Sequence, residues 1–404
     1  MRGGASLDDA IPVAAEIIAD VRDRGDAALL DWTEKLDRER PASVRVSAER
    51  LAAARVDDDV LVAIRELVRV VREFHALQLP RDTSAEPYPG VRTERRHLPL
   101  GSVGIYVPGG RATLPSSLIM AAVPAQVAGV GRIAVCSPRP AEVVLATARE
   151  LGIDEVYAVG GAQAIGAMAY GTESIAQVDK IVGPGNRWVT AAKLLVASCV
   201  GIDLPAGPSE VLIVADDTAR ADWVAADLRA QAEHGPDSET ILVTTSAALA
   251  AEVRRLLVEE DAVGAGEGAS GVAQQVQIEV VASLGEALAR ADDYAAEHLQ
   301  LMVADPEAAL ARVRNAGAIF LGDLGSAVLG DYAAGTNHVL PTGGLARGSG
   351  GLGLEAFLKP VEIVRTNRAG LAAMRPVVAA LSRVEGLPLH GAAIEARFAD
   401  EGPA

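Results

Sequence analysis

Residues 154–198, DEVYAVGGAQAIGAMAYGTESIAQVDKIVGPGNRWVTAAKLLVAS, decide the fold. A short β-branched run ends at Gly160, an Ala-rich helical stretch follows near 162–170, a second short run spans Val178–Gly185, and another helical stretch covers about 187–199. Strands separated by a helix's worth of chain cannot close a hairpin, so they lie parallel with the helices covering the sheet. Upstream, GIYVPG (104–109) and RIAVCS (132–137), with helical stretches near 116–128 and 140–151, keep the same rhythm. Downstream it restarts at Ser209. EVLIVAD (210–216), ETILVTT (239–245), QIEVVAS (277–283), LQLMVAD (299–305) and AIFLGD (318–323) alternate with helical stretches near 219–234, 246–260, 284–296 and 305–315. The chain therefore reads as α/β, two tandem Rossmann-like doubly wound domains with a ligand crevice between them.

The flanks differ in texture. Residues 8–78 repeat apolar positions at three and four, with Ser47 as an N-cap, and Pro80–Gly90 interrupt the pattern. After Asp323 a glycine-rich stretch, residues 324–357, fits neither helix nor strand, and helical periodicity returns from 355. The boundaries that follow are a helical N-terminal segment (1–105) contributing to the first α/β domain, that domain itself (106–208), a second α/β domain (209–352) and a small helical C-terminal appendage (353–404).

With 404 residues and a formal net charge of −17, the chain is long enough for two cores and too acidic to favour nucleic acid or an anionic membrane surface. Its apolar runs are far shorter than a membrane span, and the N-terminus, MRGGASLDDAIPVAAEIIAD, has no secretory pattern. Only Cys136 and Cys199 are present, which gives no disulfide framework and points to the cytoplasm; Cys136, closing an apolar run, reads as core.

Four of the six histidines lie in the C-terminal half beside acidic or amide side chains: Gln231 and His234, Glu297 and His298, Asp331 and His338, Glu385 and His390. Imidazole with carboxylate suits both metal coordination and proton transfer. Gln231 and His234, three apart near a helix end stopped by Gly235–Pro236, share one helical face and suit one cation, though a dipole-stabilised helix-terminal histidine explains the pair equally well. Asp331 and His390 are candidate further ligands, and a mixed N/O set suits catalytic Zn²⁺, with Mn²⁺ open. Glu297 and His298 sit where helix passes into strand, as a general base and its partner or as a solvated pair. Gly160–Gln163 and Gly183–Asn186 occupy strand-to-helix turns, where backbone amides meet phosphate or simply form a tight turn. The two GxGxxG matches, Gly266–Gly271 and Gly348–Gly353, neither follow a strand nor open a helix, and among 40 glycines they are chance.

The succession YVPGG (106–110), GGAQAI (160–165), VDKIVGPGN (178–186), DLPAGPSEVLIVAD (203–216), QAEHG (231–235), EHL (297–299), GDYAAGTNHVLPTGG (330–344) and EGLPLH (385–390) closely resembles the histidinol dehydrogenase family over nearly the whole chain. The resemblance implies NAD-dependent, zinc-dependent oxidation of L-histidinol through L-histidinal to L-histidine, the last steps of histidine biosynthesis. It implies one Zn²⁺ per subunit on Gln231, His234, Asp331 and His390, with Glu297 and His298 as proton acceptors. Ser209, His338 and Glu385 match substrate-contacting positions beside the metal ligands and His298; Tyr106, Gln163 and Asn186 match NAD-contacting ones. Residues 106–208 would then bind NAD, 209–352 would carry metal and bases, and the appendage would join a homodimer, bringing Glu385 and His390 to the partner's site. Ala296 stands where the family usually has proline, and RGSGGLG (347–353) departs from the usual RFSSGL. The alternatives are a dehydrogenase of another small polar alcohol and a silent metal- or nucleotide-binding relative.

Overall fold

Residues 7–109, 114–205, 207–263 and 271–399 are described by a computed structural model. Gly110, Ala206 and all of the first glycine fingerprint except Gly271 lie outside them. Helices α1 (Ala10–Arg24), α2 (Asp26–Asp37), α3 (Ala48–Ala53) and α4 (Asp58–Ala76) open the chain. In α4 the buried residues are Ile64, Leu67, Val71 and His75, a stripe at three- and four-residue spacing. Ser47 caps α3, its hydroxyl accepting the Arg50 N–H at 3.2 Å.

A hairpin follows, β1 (Thr83–Tyr88) and β2 (Val91–Pro99), and then the first α/β domain. Its elements are β3 (Ser102–Tyr106), α5 (Pro115–Ala128), β4 (Arg132–Cys136), α6 (Glu142–Glu150), β5 (Glu155–Tyr157), α7 (Gly161–Tyr170), β6 (Lys180–Val182), α8 (Arg187–Val196) and β7 (Gly201–Ile202). The second domain comprises β8 (Glu210–Ala215), α9 (Ala221–Ala232), β9 (Glu239–Thr244), α10 (Ala247–Val263), α11 (Val272–Gln275), β10 (Val276–Val280), α12 (Leu284–Tyr294), β11 (His298–Met302), α13 (Pro306–Leu310), β12 (Ala318–Leu321) and α14 (Val328–Tyr332).

Both sheets are parallel, in the orders β5-β4-β3-β6-β7 and β10-β9-β8-β11-β12. Each is thus third-second-first-fourth-fifth within its own domain, the doubly wound arrangement expected. Every residue of the central strands β3, β8 and β11 is buried, as parallel strands covered on both faces require. The Cys136 side chain is in the core, where burial drives its thiol far above the usual range.

The domain boundaries differ from the sequence reading. The chain divides into two compact units, residues 1–78 with 100–357 and residues 79–99 with 358–404. In the second, β13 (Leu358–Thr366) pairs antiparallel with the full length of β2, and α15 (Arg368–Val384) and α16 (Pro388–Glu395) follow. The appendage is therefore α+β, and the hairpin read as part of the N-terminal segment belongs to it. The sequence hid this because β1 is exposed at every position and β13 alternates only weakly, so no buried face marks them as strands. The glycine-rich stretch also holds the short helix α14, which carries Asp331. Among the described residues no helix is long and apolar enough to cross a membrane.

Candidate active site

The two residues read as bases begin a central strand. Helix α12 ends at Ala295, a non-glycine residue in the left-handed region (φ +53), and that reversal sends the chain through Glu297 into β11. β11 lies beside β8, with His298 opposite Val211. The Glu297 carboxylate accepts the Ser209 hydroxyl at 2.7 Å and the Glu210 N–H at 2.8 Å. His298 Nδ1 is 3.0 Å from the Glu210 carbonyl, an acceptor only, so in the neutral imidazole Nδ1 carries the proton and Nε2 the lone pair. Burial lowers the basicity of His298, but Glu297, with Oε2 at 3.5 Å, and Asp331 oppose it, and the balance lies above the ordinary imidazole value.

This edge is the amino end of the sheet, not the carboxyl end at which α/β proteins usually bind ligands. The helix end at the same edge is the C-terminus of α9. It stops at Ala232, two residues short of His234, so the pair does not share a regular helical face: Gln231 is buried in the last turn, and exposed His234 follows in a tightened turn, its N–H donating to the Gln231 carbonyl at 3.2 Å. The Gln231 amide nitrogen donates to Ser209 Oγ at 3.0 Å, which leaves its amide oxygen as the atom available to a cation.

One cavity of about 170 Å³ is lined by Ser117, Ser209, His234, Glu297, His298, Asp331 and His338, among others. His338 Nδ1 is 3.6 Å from Asp331 Oδ1, and its Nε2 is 3.4 Å from Ser117 Oγ. Burial lowers the His338 basicity, with Asp331 partly offsetting it. A smaller adjoining void of about 20 Å³ is lined by Gln231, His234, Asp331 and His298.

Sequence reasoning missed Glu210 as an individual. Its side chain is buried between β8 and the glycine-rich loop, accepting the Gly343 N–H at 2.6 Å and the Glu297 N–H at 3.4 Å, and burial pushes its carboxyl up to about 7. Its place in AGPSE was visible, but not the long-range pairing that makes it a neighbour of Glu297.

In the first domain the carboxyl edge carries the residues read as cofactor contacts. Tyr106 ends β3 and is buried; its hydroxyl accepts the Gly161 N–H at 3.2 Å, and burial pushes its phenol up to about 12. Gln163 is buried in the first turn of α7, and its amide oxygen has no hydrogen-bond partner. Asn186 caps α8, its side-chain oxygen accepting Trp188 and Val189 N–H groups at 3.1 Å each. Gly183 takes φ +116, and a Cβ there would lie 2.2 Å from the Tyr106 carbonyl oxygen. A buried ion pair that sequence did not flag, Lys193 with Asp203, holds this turn: Lys193 donates to the Gly183 carbonyl at 3.0 Å, and Asp203 accepts the Gly183 N–H at 2.7 Å. The N-termini of α7 and α8 suit the phosphates of a cofactor, and the orphaned Gln163 oxygen, an acceptor, suits a hydroxyl or amide donor of the same molecule.

Glu385 and His390 belong to the second unit, and both are exposed. Among the described residues no three His, Cys, Asp or Glu side chains close on one point, and within the first unit the candidate set supplies only His234 and Asp331 of those types. The free Gln231 oxygen, an imidazole and a carboxylate around one void are nevertheless a donor set that fits zinc, short of one ligand.

The family model for histidinol dehydrogenase matches residues 1–398. The histidinol dehydrogenase of Corynebacterium efficiens is 46% identical over 98% of this chain and 91% of that protein. That of Halobacterium salinarum is also 46% identical, over 98% of this chain and 95% of its own. The crystal structure of histidinol dehydrogenase from Elizabethkingia anophelis superimposes with a TM-score of 0.92 at 36% identity, covering 100% of this chain and 94% of that one.

Proposed function

The chain belongs to the histidinol dehydrogenase family, and from that premise we propose that the cavity at the starts of β8 and β11 is where L-histidinol is oxidised. The activity is the NAD-dependent four-electron oxidation of L-histidinol, through L-histidinal, to L-histidine, the closing steps of histidine biosynthesis. The observation that carries the site assignment is the convergence of Ser209, Glu297, His298, Asp331 and His338 on one cavity of about 170 Å³.

Oxidation of the alcohol removes a proton from oxygen and a hydride from carbon. His298 takes the proton on Nε2, because Nδ1 is held as a donor to the Glu210 carbonyl. In the second step water adds to the aldehyde. Glu297 then serves as base from the carboxylate oxygen not engaged by Ser209 and Glu210, with its orientation fixed by those two donors. His338, kept neutral by burial, suits a hydrogen bond to the substrate. Gln231, His234 and Asp331, with His390, would hold zinc, whose chemistry here is a grip on the substrate's amine and imidazole nitrogens. NAD⁺, the hydride acceptor, would lie along the carboxyl edge of the first domain beside Gln163 and Asn186.

A homodimer completes the proposal. Val377, Leu381, Val384 and Leu389 are exposed apolar residues, the first three on one face of α15, beside exposed Glu385 and His390. Through that face Glu385 and His390 would serve the partner's site, and the cytoplasm, where histidinol and NAD are found together, is the proposed location.

The test is to incubate the protein with L-histidinol, zinc and excess NAD⁺ and to count NADH per histidinol consumed. Two is expected. One, with aldehyde accumulating, assigns only the first step, and no turnover with zinc present overturns the reading.

A further inference from the structure

Asp227, Gln300 and Ser326 have no place in the chemistry above, yet their hydrogen bonds join the three segments that carry it. Asp227 lies on α9 one turn before Gln231. One of its carboxylate oxygens accepts the Gln300 amide nitrogen at 2.7 Å, and the other accepts the Ser326 hydroxyl at 2.7 Å. Gln300 is two residues beyond His298 on β11, hence on the same face of the sheet, and is 1% exposed. Its amide oxygen accepts the Ala327 N–H at 3.0 Å, at the entrance to α14, four residues before Asp331. Asp227, Gln300, Ser326 and Ala327 also line the 20 Å³ void that Gln231, His234 and Asp331 border.

Each bond has one direction only. An ionised Asp227 accepts and cannot donate, so Gln300 must turn its nitrogen to the carboxylate and its oxygen to Ala327, and Ser326 must donate. Buried polar groups in such a chain are costly to leave unpaired, which holds the three segments to one arrangement.

We propose that Asp227, acting through Gln300 and Ser326, is a positioning residue that fixes the separation of the Gln231–His234 helix end from the Asp331 helix, and so sets the affinity of the metal site. The inference rests on the assignment of Gln231, His234 and Asp331 as metal ligands. Partners that orient ligands typically alter metal affinity by about 10- to 100-fold when removed.

The experiment measures zinc affinity of the metal-free full-length protein by competition with a chromophoric chelator, and thermal unfolding of the same metal-free samples. Asp227→Asn keeps the shape but removes the charge and one of the two acceptor oxygens that Gln300 and Ser326 share; binding should weaken roughly 10- to 100-fold. Ser326→Ala, a milder change that leaves the Gln300 bond intact, should weaken it by less. The exchange Asp227→Asn with Gln300→Glu restores every donor to an acceptor at unchanged net charge. It should recover affinity to within about 3-fold of wild type. If the wild type binds zinc and Asp227→Asn matches it, or if the exchange binds as weakly as the single variant, the inference is overturned alone. If only the unfolding temperature moves, Asp227 is a structural residue and the inference again fails. Absence of zinc binding by the wild type overturns the ligand assignment and this inference together.

Discussion

The two α/β domains share one strand order and gather their candidate residues at opposite edges of it. In the first, the residues of interest gather at the carboxyl ends of β3, β5 and β6, where α7 and α8 begin; in the second they gather at the amino ends of β8 and β11, where α9 ends. The difference is electrostatic. Helix N-termini present unpaired N–H groups and partial positive charge, and helix C-termini present carbonyls and partial negative charge. On the proposed assignment the first edge would meet an anion with the positive ends of α7 and α8, since the Gly161 and Gly183 N–H groups are already bonded to Tyr106 and Asp203; the second, with Glu297, Asp331 and the end of α9, would meet a cation and accept protons.

The sharpest way to break this comparison is to damage one edge and watch the other. His298→Asn at the amino edge should lower alcohol oxidation by roughly 10³-fold while the KM for NAD⁺ stays within about 2-fold. Glu297→Gln should spare the first oxidation relative to the second, read by following L-histidinol and L-histidinal as separate substrates. Equal loss in both steps would remove the division of labour between the bases. At the other edge, Gly183→Ala places a Cβ against the Tyr106 carbonyl in a backbone region L side chains avoid, and should destabilise the fold by about 3 kcal/mol in urea unfolding and weaken NAD⁺ binding. A variant with normal stability and NAD⁺ affinity would mean that this turn is not held closed.

How much of this was legible follows from which forces are local. Helix and strand alternation, the Ser47 cap, the core position of Cys136 and the strand-to-helix turns at Gly160 and Gly183 are written in neighbouring residues, and they were readable. That the bases begin a strand, and so lie at the amino edge of a parallel sheet, was readable at the helix-to-strand junction; that β8 brings Ser209 and Glu210 against them was not, because that pairing spans 88 residues of chain. The hairpin at 83–99 was invisible for a related reason: its strands bury no face that would pattern them, and its partner β13 is more than 250 residues away. Glu210, Lys193 and Asp203 are buried charges whose partners come from other segments, and composition gives them no mark.

Glu210 sharpens the comparison through pH. Its folded carboxyl is pushed up to about 7 from the ordinary 4.5, chiefly by burial, so the folded state holds this proton more tightly than the unfolded chain. The stabilisation is therefore full below about pH 4.5 and is lost as pH rises through about 7. Glu210→Gln, permanently neutral, should remove the loss, so that the stability difference between pH 5 and pH 8 shrinks by about 2 kcal/mol relative to wild type. Parallel pH profiles for the two proteins in urea unfolding would show that Glu210 already ionises in the folded state at pH 5.

The smallest effect tests the proposed anion-binding edge most directly. Asn186 spends its side-chain oxygen on the Trp188 and Val189 N–H groups, so it caps α8 whether or not it also touches the cofactor. Asn186→Ala should lower stability by about 1 kcal/mol, the ordinary worth of an N-cap. Asn186→Ser keeps a capping oxygen on a shorter side chain and should recover most of that stability. If the residue only caps, the serine variant recovers NAD⁺ affinity along with stability. If the Asn186 amide nitrogen also reaches the cofactor, NAD⁺ binding stays several-fold weaker in both variants while stability parts company between them, because serine supplies the acceptor that the helix needs and not the donor that the cofactor would use.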